Sequence, residues 1–355
     1  MKWRFEMKIL MTPVPRLLLF LGILAIAIGA ANAQDDPKRV ALVATQAAGD
    51  NGPIDGLIAG LDMAAEEFGV ETQFLEALDP ATFELTLRNL ARTGVDIIVS
   101  TFYAMGATSW IIAPDFPDTT FVTIVGLPSG DEQPDNVQLM EYQFFEGAYV
   151  GGVYAAHLTE SNQLGYTGGV PLPFAWADFN AFTDGAHSIN PEIETTAVFI
   201  ESFEDPVKGR ELAAGLYSSG VDFIFTGAAA SDIGVVEAAS DNDALVMVAS
   251  APLVEQAPAN VAILVLIEWE KTIMQEIELA MNPETRGGFR YGNVQSGEIS
   301  FHIPEAFLEA TTDERRERAE ASLEAVEALV EDITNGDFVV EEDNQERMAQ
   351  DDSDG

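Results

Sequence analysis

Apolar residues along this chain follow two periods in turn. Short runs rich in β-branched and aromatic residues at 40–45, 70–77, 96–102, 121–126 and 137–144 read as strands. Between the first two, Ile54, Leu57, Ile58, Leu61, Ala65 and Phe68 recur at helical spacing, and Gly69 marks the stop. A second series places strands at 164–168, 196–201, 223–226 and 245–249, with helices near 178–189, 206–219 and 232–240. Asp205-Pro206 is a clean helix start, because Asp can cap the free amides and proline at the first helical position loses no hydrogen bond. Ile97-Ile98-Val99 and Phe223-Ile224-Phe225 are apolar at every position, as strands buried on both faces of a parallel sheet must be. Right-handed crossovers then put helices on each side, so the pattern predicts an α/β protein of two doubly wound parallel-sheet lobes. A last helix over 312–334 turns Leu323, Val326, Leu329, Val330 and Ile333 inward and stops at Gly336. The acidic, weakly apolar stretch after it predicts a disordered tail.

Residues 1–33 change the setting of this fold. Lys2, Arg4, Lys8 and Arg16 form a basic start, 17–28 an apolar run shorter than a membrane span needs, and Ala31-Asn32-Ala33 a cleavage site before Gln34. The expected mature protein is soluble and periplasmic or otherwise extracytoplasmic. Removing the segment takes away four basic residues and Glu6 and leaves 13 basic against 58 acidic side chains, a net charge of -45 in place of -42. Such a charge repels nucleic acid and anionic lipid, and with only five lysines it suits a salty, halophilic milieu. The absence of cysteine excludes disulfides, thiol nucleophiles and a lipid-modified cysteine anchor.

Ligands of doubly wound sheets bind beyond the carboxyl ends of the strands, which directs attention to the loops there. Phe102, Tyr103, Phe174, Trp176 and Phe179 offer flat faces for a planar ligand, with Asp50, Asn51, Asp178 and Asn180 to fix its hydrogen bonds. Phe179 and Phe182 also stand at helical spacing, so core packing competes with ligand contact there. No basic residue immediately follows an expected strand, which points to a neutral ligand. His157, His187 and His302 have no nucleophile or metal-ligand companions, and no phosphate loop or regularly spaced calcium loop is present. Neither a catalytic centre, a metal site nor a cofactor is expected.

Four stretches occur in a telling order: Phe145-Glu146-Gly147-Ala148-Tyr149-Val150-Gly151-Gly152, Gly165-Tyr166-Thr167-Gly168-Gly169, Ser202-Phe203-Glu204-Asp205-Pro206-Val207-Lys208-Gly209 and Ile233-Gly234-Val235-Val236-Glu237-Ala238-Ala239. Together they resemble the basic membrane protein family, also called the purine nucleoside receptor A-like family, of substrate-binding proteins that serve ABC importers. The resemblance runs from about residue 38 to about 303. It implies a type I periplasmic-binding fold whose lobes close on a ligand, and characterised relatives bind nucleosides. On this basis lobe 1 is expected over 34–161 plus about 256–336, lobe 2 over 162–255, and the tail over 337–355. Asp50 and Asn51 carry over by position, Phe102 and Tyr103 occupy the family's aromatic-containing loop, and Ser231 and Asp232 its small-residue loop. Ser250 lies where the family's Asp-x-Asp element gives way to Ala249-Ser250-Ala251-Pro252. With these sugar contacts partly replaced, a nucleoside or a related planar metabolite is the expected ligand.

The expected function is capture of that small ligand by a monomer and its delivery to an ABC permease. A sensory receptor presenting the closed form to a membrane signalling protein is the alternative. An exported hydrolase using Asp50 or Asp178 lacks a visible general acid.

Overall fold

The computed structural model describes residues 36–49, 52–130 and 132–346. The expected export segment lies outside the described residues. In chain order the strands are β1 (Arg39–Ala44), β2 (Glu71–Glu76), β3 (Ile97–Thr101), β4 (Thr120–Ile124), β5 (Val137–Tyr142), β6 (Gln163–Gly168), β7 (Glu194–Phe199), β8 (Phe223–Gly227), β9 (Leu245–Val248), β10 (Val261–Ile267), β11 (Gly288–Gly292) and β12 (Ile299–His302). The helices are α1 (Pro53–Phe68), α2 (Phe83–Arg92), α3 (Phe102–Ile112), α4 (Phe144–Leu158), α5 (Pro173–Ile189), α6 (Pro206–Ser218), α7 (Asp232–Asp241), α8 (Trp269–Met281), α9 (Glu305–Ala310) and α10 (Asp313–Asn335).

Two six-stranded sheets result, one ordered β11-β5-β4-β3-β1-β2 and parallel throughout, the other β12-β10-β9-β8-β6-β7 and parallel except for β12. Every residue of β3 and β4 is buried, as the continuous apolar runs predict. The helix punctuation works as read. Proline occupies the first turn of α1 and Gly69 ends it at φ +67°; Asp205 accepts from Lys208 N at 3.0 Å to cap α6; Gly336 ends α10 at φ +76°.

The lobe boundaries need correction. The helix α4 packs on α5, and the α10 helix packs on α4, while β10 and β12 join the second sheet. Lobe 2 is therefore larger than 162–255, and α8 and β11 are the later elements that return to lobe 1, α8 against α1 and β11 against β5. The glycines of the Phe145–Gly152 motif explain the α4 placement. A methyl group at Gly147 would stand 2.5 Å from Val265 Cγ1, and one at Gly152 would fall inside the envelope of the Phe182 carbonyl. Only a glycine face lets this helix approach the second sheet and α5 so closely. The tail also needs correction: Val340 is buried and Phe338 packs on Tyr149, so the stretch to residue 346 is folded against lobe 2. Residues 347–355 lie outside the described residues.

Three segments cross between the lobes, from β5 to α4, from β10 to α8 and from β11 to β12. They are laced together. Gln143 N donates to Gly292 O, Asn293 Nδ2 to Gln143 Oε1 and Glu268 N to Glu298 O, each at 2.9 Å. Val294 N donates to the buried Glu146 carboxylate at 3.0 Å. Arg290 of β11 holds Glu298 through two bonds of 2.6 and 2.8 Å, and Glu276 of α8 through its Nε at 2.6 Å.

Candidate functional site

Backbone strain marks the carboxyl ends of both sheets. Phe102 after β3, Val125 after β4, Glu201 after β7 and Ala229 after β8 all have φ between +53° and +64°. For residues with a Cβ this costs ~1–3 kcal/mol each, and such strain gathers at ligand clamps. The other two left-handed non-glycines, Asn162 and Asp243, precede β6 and β9 at the opposite ends and are of the residue types that tolerate the conformation.

On lobe 1, the aromatic-containing loop expected to hold Phe102 and Tyr103 is instead the first turn of α3, which follows β3 directly. Thr45 N donates to Thr101 Oγ1 at 3.1 Å, fixing the ends of β1 and β3 side by side. The first turn of α3 then presents the Tyr103 ring, 46% exposed, with its hydroxyl donating to Glu141 Oε2 at 2.5 Å. Burial raises the Glu141 carboxyl above its ordinary range, opposed by that hydrogen bond. Phe102 lies beside Tyr103 and is half-buried. Asp50 and Asn51 lie outside the described residues.

On lobe 2, Phe174 opens α5 with its ring 45% exposed, and Trp176 lies half-buried against Phe199 at 4.9 Å between centroids. Phe179 is spent on packing, 5.8 Å from the Tyr166 ring and 6.1 Å from Trp176. Asp178 is buried and accepts no hydrogen bond among the described residues, and burial raises its carboxyl well above the ordinary range. The Tyr166 hydroxyl is buried without a hydrogen-bond partner among the described residues, close enough to Asp178 and Asp232 for both charges to raise it further after burial itself. Buried polar groups are normally paired, so the unpaired Tyr166 hydroxyl beside Asp178 is a feature that a hydrogen-bonding ligand would satisfy.

Ser231 and Asp232 turn inward instead of toward a ligand. Ser231 Oγ accepts from Asp205 N at 2.9 Å and donates to Ser202 O at 3.2 Å, tying the Ser202–Asp205 loop to α7. Asp232 accepts from Thr226 Oγ1 at 2.5 Å and from Ala228 N at 2.8 Å, and Thr167 donates to Thr226 at 2.8 Å. Ser250, half-buried, follows the carboxyl end of β9. The structure thus brings Tyr103 together with Glu141, packs Trp176 on Phe179 and Phe199, which also meet the Tyr166 ring, and puts Asp178 within electrostatic reach of Tyr166. Glu141 and Tyr166 were missed in the sequence because they lie within strands; the only signal for Tyr166 was a hydroxyl in an otherwise buried run leading into Gly168-Gly169. A groove of about 670 Å³ among β12, α9 and α10 is lined by Ile299, Phe301, Leu308, Val326 and Val330 and lies away from these groups.

The buried Asp232 gives a pH signature. Burial raises its carboxyl to about 7, opposed by Thr226 and the Ala228 amide, so the folded state binds its proton more tightly than the unfolded chain. Its contribution to stability is complete below the ordinary value of 3.8 and is lost as pH climbs through about 7. Asp232→Asn keeps both accepted bonds and removes the charge. Thermal denaturation should show the variant melting several degrees above the parent at pH 8 and at nearly the same temperature at pH 4; an equal offset at both would contradict the assignment.

Comparison with known proteins decides the family. Residues 38–328 match the family described as ABC transporter substrate-binding protein PnrA-like. The chain belongs to that family. A purine-binding protein of Brucella abortus (strain 2308) is 34% identical over 156 residues, 44% of this chain and 43% of that protein. A protein of Haloferax volcanii, named for glucose binding in an ABC transporter, is 27% identical over 229 residues, 64% of this chain and 57% of that protein. The chain spans about half the length of these curated relatives. An ABC transporter solute-binding protein from Conexibacter woesei DSM 14684 matches in three dimensions with a TM-score of 0.68 at 23% identity, covering 86% of this chain and 99% of that one. This PnrA-like chain therefore has the two-lobed type I periplasmic-binding fold, and its family comprises substrate-binding proteins and not catalysts. Among its described residues no helix is long and apolar enough to cross a membrane.

Proposed function

We propose that this PnrA-like protein is the extracytoplasmic substrate-binding component of an ABC importer. It captures a small neutral ligand, a nucleoside or related planar metabolite, and its lobes close about the three crossing segments. The observation that carries this reading is that each lobe sets aromatic rings and an acid at the strained carboxyl ends of the strands, exposed Tyr103 bonded to half-buried Glu141 on one, and exposed Phe174 and half-buried Trp176 on the same helix as buried Asp178 on the other. Rings on such surfaces favour a planar ligand, and carboxylates accept from its amino or hydroxyl groups. The purine-binding name of one relative fits a planar ligand, and the glucose-binding name of another fits only its neutral charge. Differential affinity for the closed state drives closure, and the closed form is what a permease recognises.

The test is mass spectrometry of ligand released from denatured protein, followed by calorimetry with adenosine, guanosine, free purines and glucose. Tyr103→Ala should weaken binding about tenfold or more, equivalent to ~1.4 kcal/mol. Because Tyr103 is so exposed, the melting temperature of the empty protein should stay within a degree or two. A large stability loss with intact affinity would return Tyr103 to a packing role, and silence with every compound would remove the proposed ligand class.

A further inference from the structure

The acidic stretch after α10 runs back onto the site. Phe338 packs on Tyr149 of α4 with ring centroids 5.3 Å apart, and Val340 is buried in the core of lobe 2. The chain then meets α5, where the Asn180 amide donates to Asp343 O at 2.7 Å and to Gln345 O at 2.8 Å. Both donors of that amide are therefore taken by backbone carbonyls. Asn180 is 1% exposed, and its own oxygen has no partner among the described residues. Between these anchors, Glu342 stands close enough to Asp178 of lobe 2 and Glu141 of lobe 1 for its charge to act on both.

We propose that residues 337–346 form a strap that occupies the lobe-2 half of the ligand site and lifts when a ligand binds. The proposal rests on the reading of that half as a place of ligand capture. The strap carbonyls take the Asn180 donors that a polar ligand would use, which makes the strap an internal competitor and lowers apparent affinity by the fraction of time it stays down. Beyond its start, where Asp337 N and Phe338 N donate to Asp332 O, the Phe338 and Val340 side chains and the two Asn180 bonds work against the mutual repulsion of Glu342, Asp178 and Glu141, so local opening is accessible. Salt screens that repulsion, and the strap is held more firmly as ionic strength rises.

The chain contains no cysteine, so Val340→Cys in the full-length protein supplies a single thiol whose labelling by a maleimide reports strap opening. Labelling should accelerate about tenfold or more on adding Asn180→Asp, which keeps the side-chain size and removes both donors; tenfold is the lower end of what loss of two net hydrogen bonds implies. Phe338→Ala releases the strap from its other anchor and should act in the same direction, and lowering the salt should do so without any substitution. Adenosine is the probe for competition and should also accelerate labelling. The strap is overturned if the parent thiol labels as fast as one in an unfolded peptide, or if neither substitution changes the rate. Adenosine that binds by calorimetry and leaves labelling unchanged overturns the competition. Adenosine that fails to bind counts against the purine assignment, while the substitution and salt arms still decide the strap.

Discussion

Arg290→Met should destabilise the protein by ~3–5 kcal/mol, the cost of leaving buried charge without its partner. Glu276 and Glu298 are both 0% exposed, and Arg290 is the cation that touches both. Burial already raises the Glu276 carboxyl despite the arginine and the Gln138 amide. Without Arg290, the buried Glu276 must either ionise without its cation or take up a proton, so the variant should recover much of its stability as pH falls toward 5. Urea denaturation followed at pH 8 and pH 5 would show this, and replacing both acids together, Glu276→Gln with Glu298→Gln, should restore most of the loss at pH 8. The position matters beyond stability. Arg290 lies in the lobe 1 sheet and Glu298 leads into β12 of the lobe 2 sheet, so the pair spans a hinge segment. A midpoint shift below ~1 kcal/mol would mean the network is solvated and exerts no such hold.

The sequence made the elements legible where one local signal decides them. The runs at β3 and β8 declare double burial, Asp205-Pro206 declares a helix start, and Gly69 and Gly336 declare stops, all through chemistry within a turn of the residue concerned. Lobe membership was not legible, because periodicity tells which face of α4 or α10 is apolar and not which sheet that face meets. The α3 start was hidden by composition: Phe102–Ile112 is apolar all round and shows no stripe. The tail was misread because its acids outnumber the two side chains, Phe338 and Val340, that anchor it. Tyr103, Phe174 and Trp176 lie in the first turns of α3 and α5, the helices that follow β3 and β6, whereas Ser231 and Asp232 turn inward because their oxygens are needed by backbone amides of the neighbouring turns. No local pattern distinguishes an acceptor for a ligand from one for an amide four residues away. Glu141 and Tyr166 acquire meaning only when sheet register places them beside Tyr103 and Asp178.

Gly152→Ala should be among the most damaging small substitutions in lobe 2, at ~3 kcal/mol or more. The added methyl would lie inside the envelope of the Phe182 carbonyl and 3.0 Å from Ala186 N, and Gly185 meets the Tyr149 backbone from the opposite helix. Backbone stands on both sides, so no rotamer change relieves the clash and α4 must move away from α5 as a unit. That movement reaches the proposed ligand site. The α4 helix begins immediately after a crossing segment, and α5 carries Phe174, Trp176 and Asp178 in its first turns. Gly152→Ala should therefore lower melting temperature and ligand affinity together, unlike Tyr103→Ala, which separates them. Gly215→Ala is the matching control. It lies inside α6 with nothing within 4 Å of the added carbon, so the same change should stabilise the protein by ~0.5–1 kcal/mol through helix propensity alone. Equal effects at the two positions, measured by thermal denaturation, would show that the close approach of α4 and α5 has no energetic consequence.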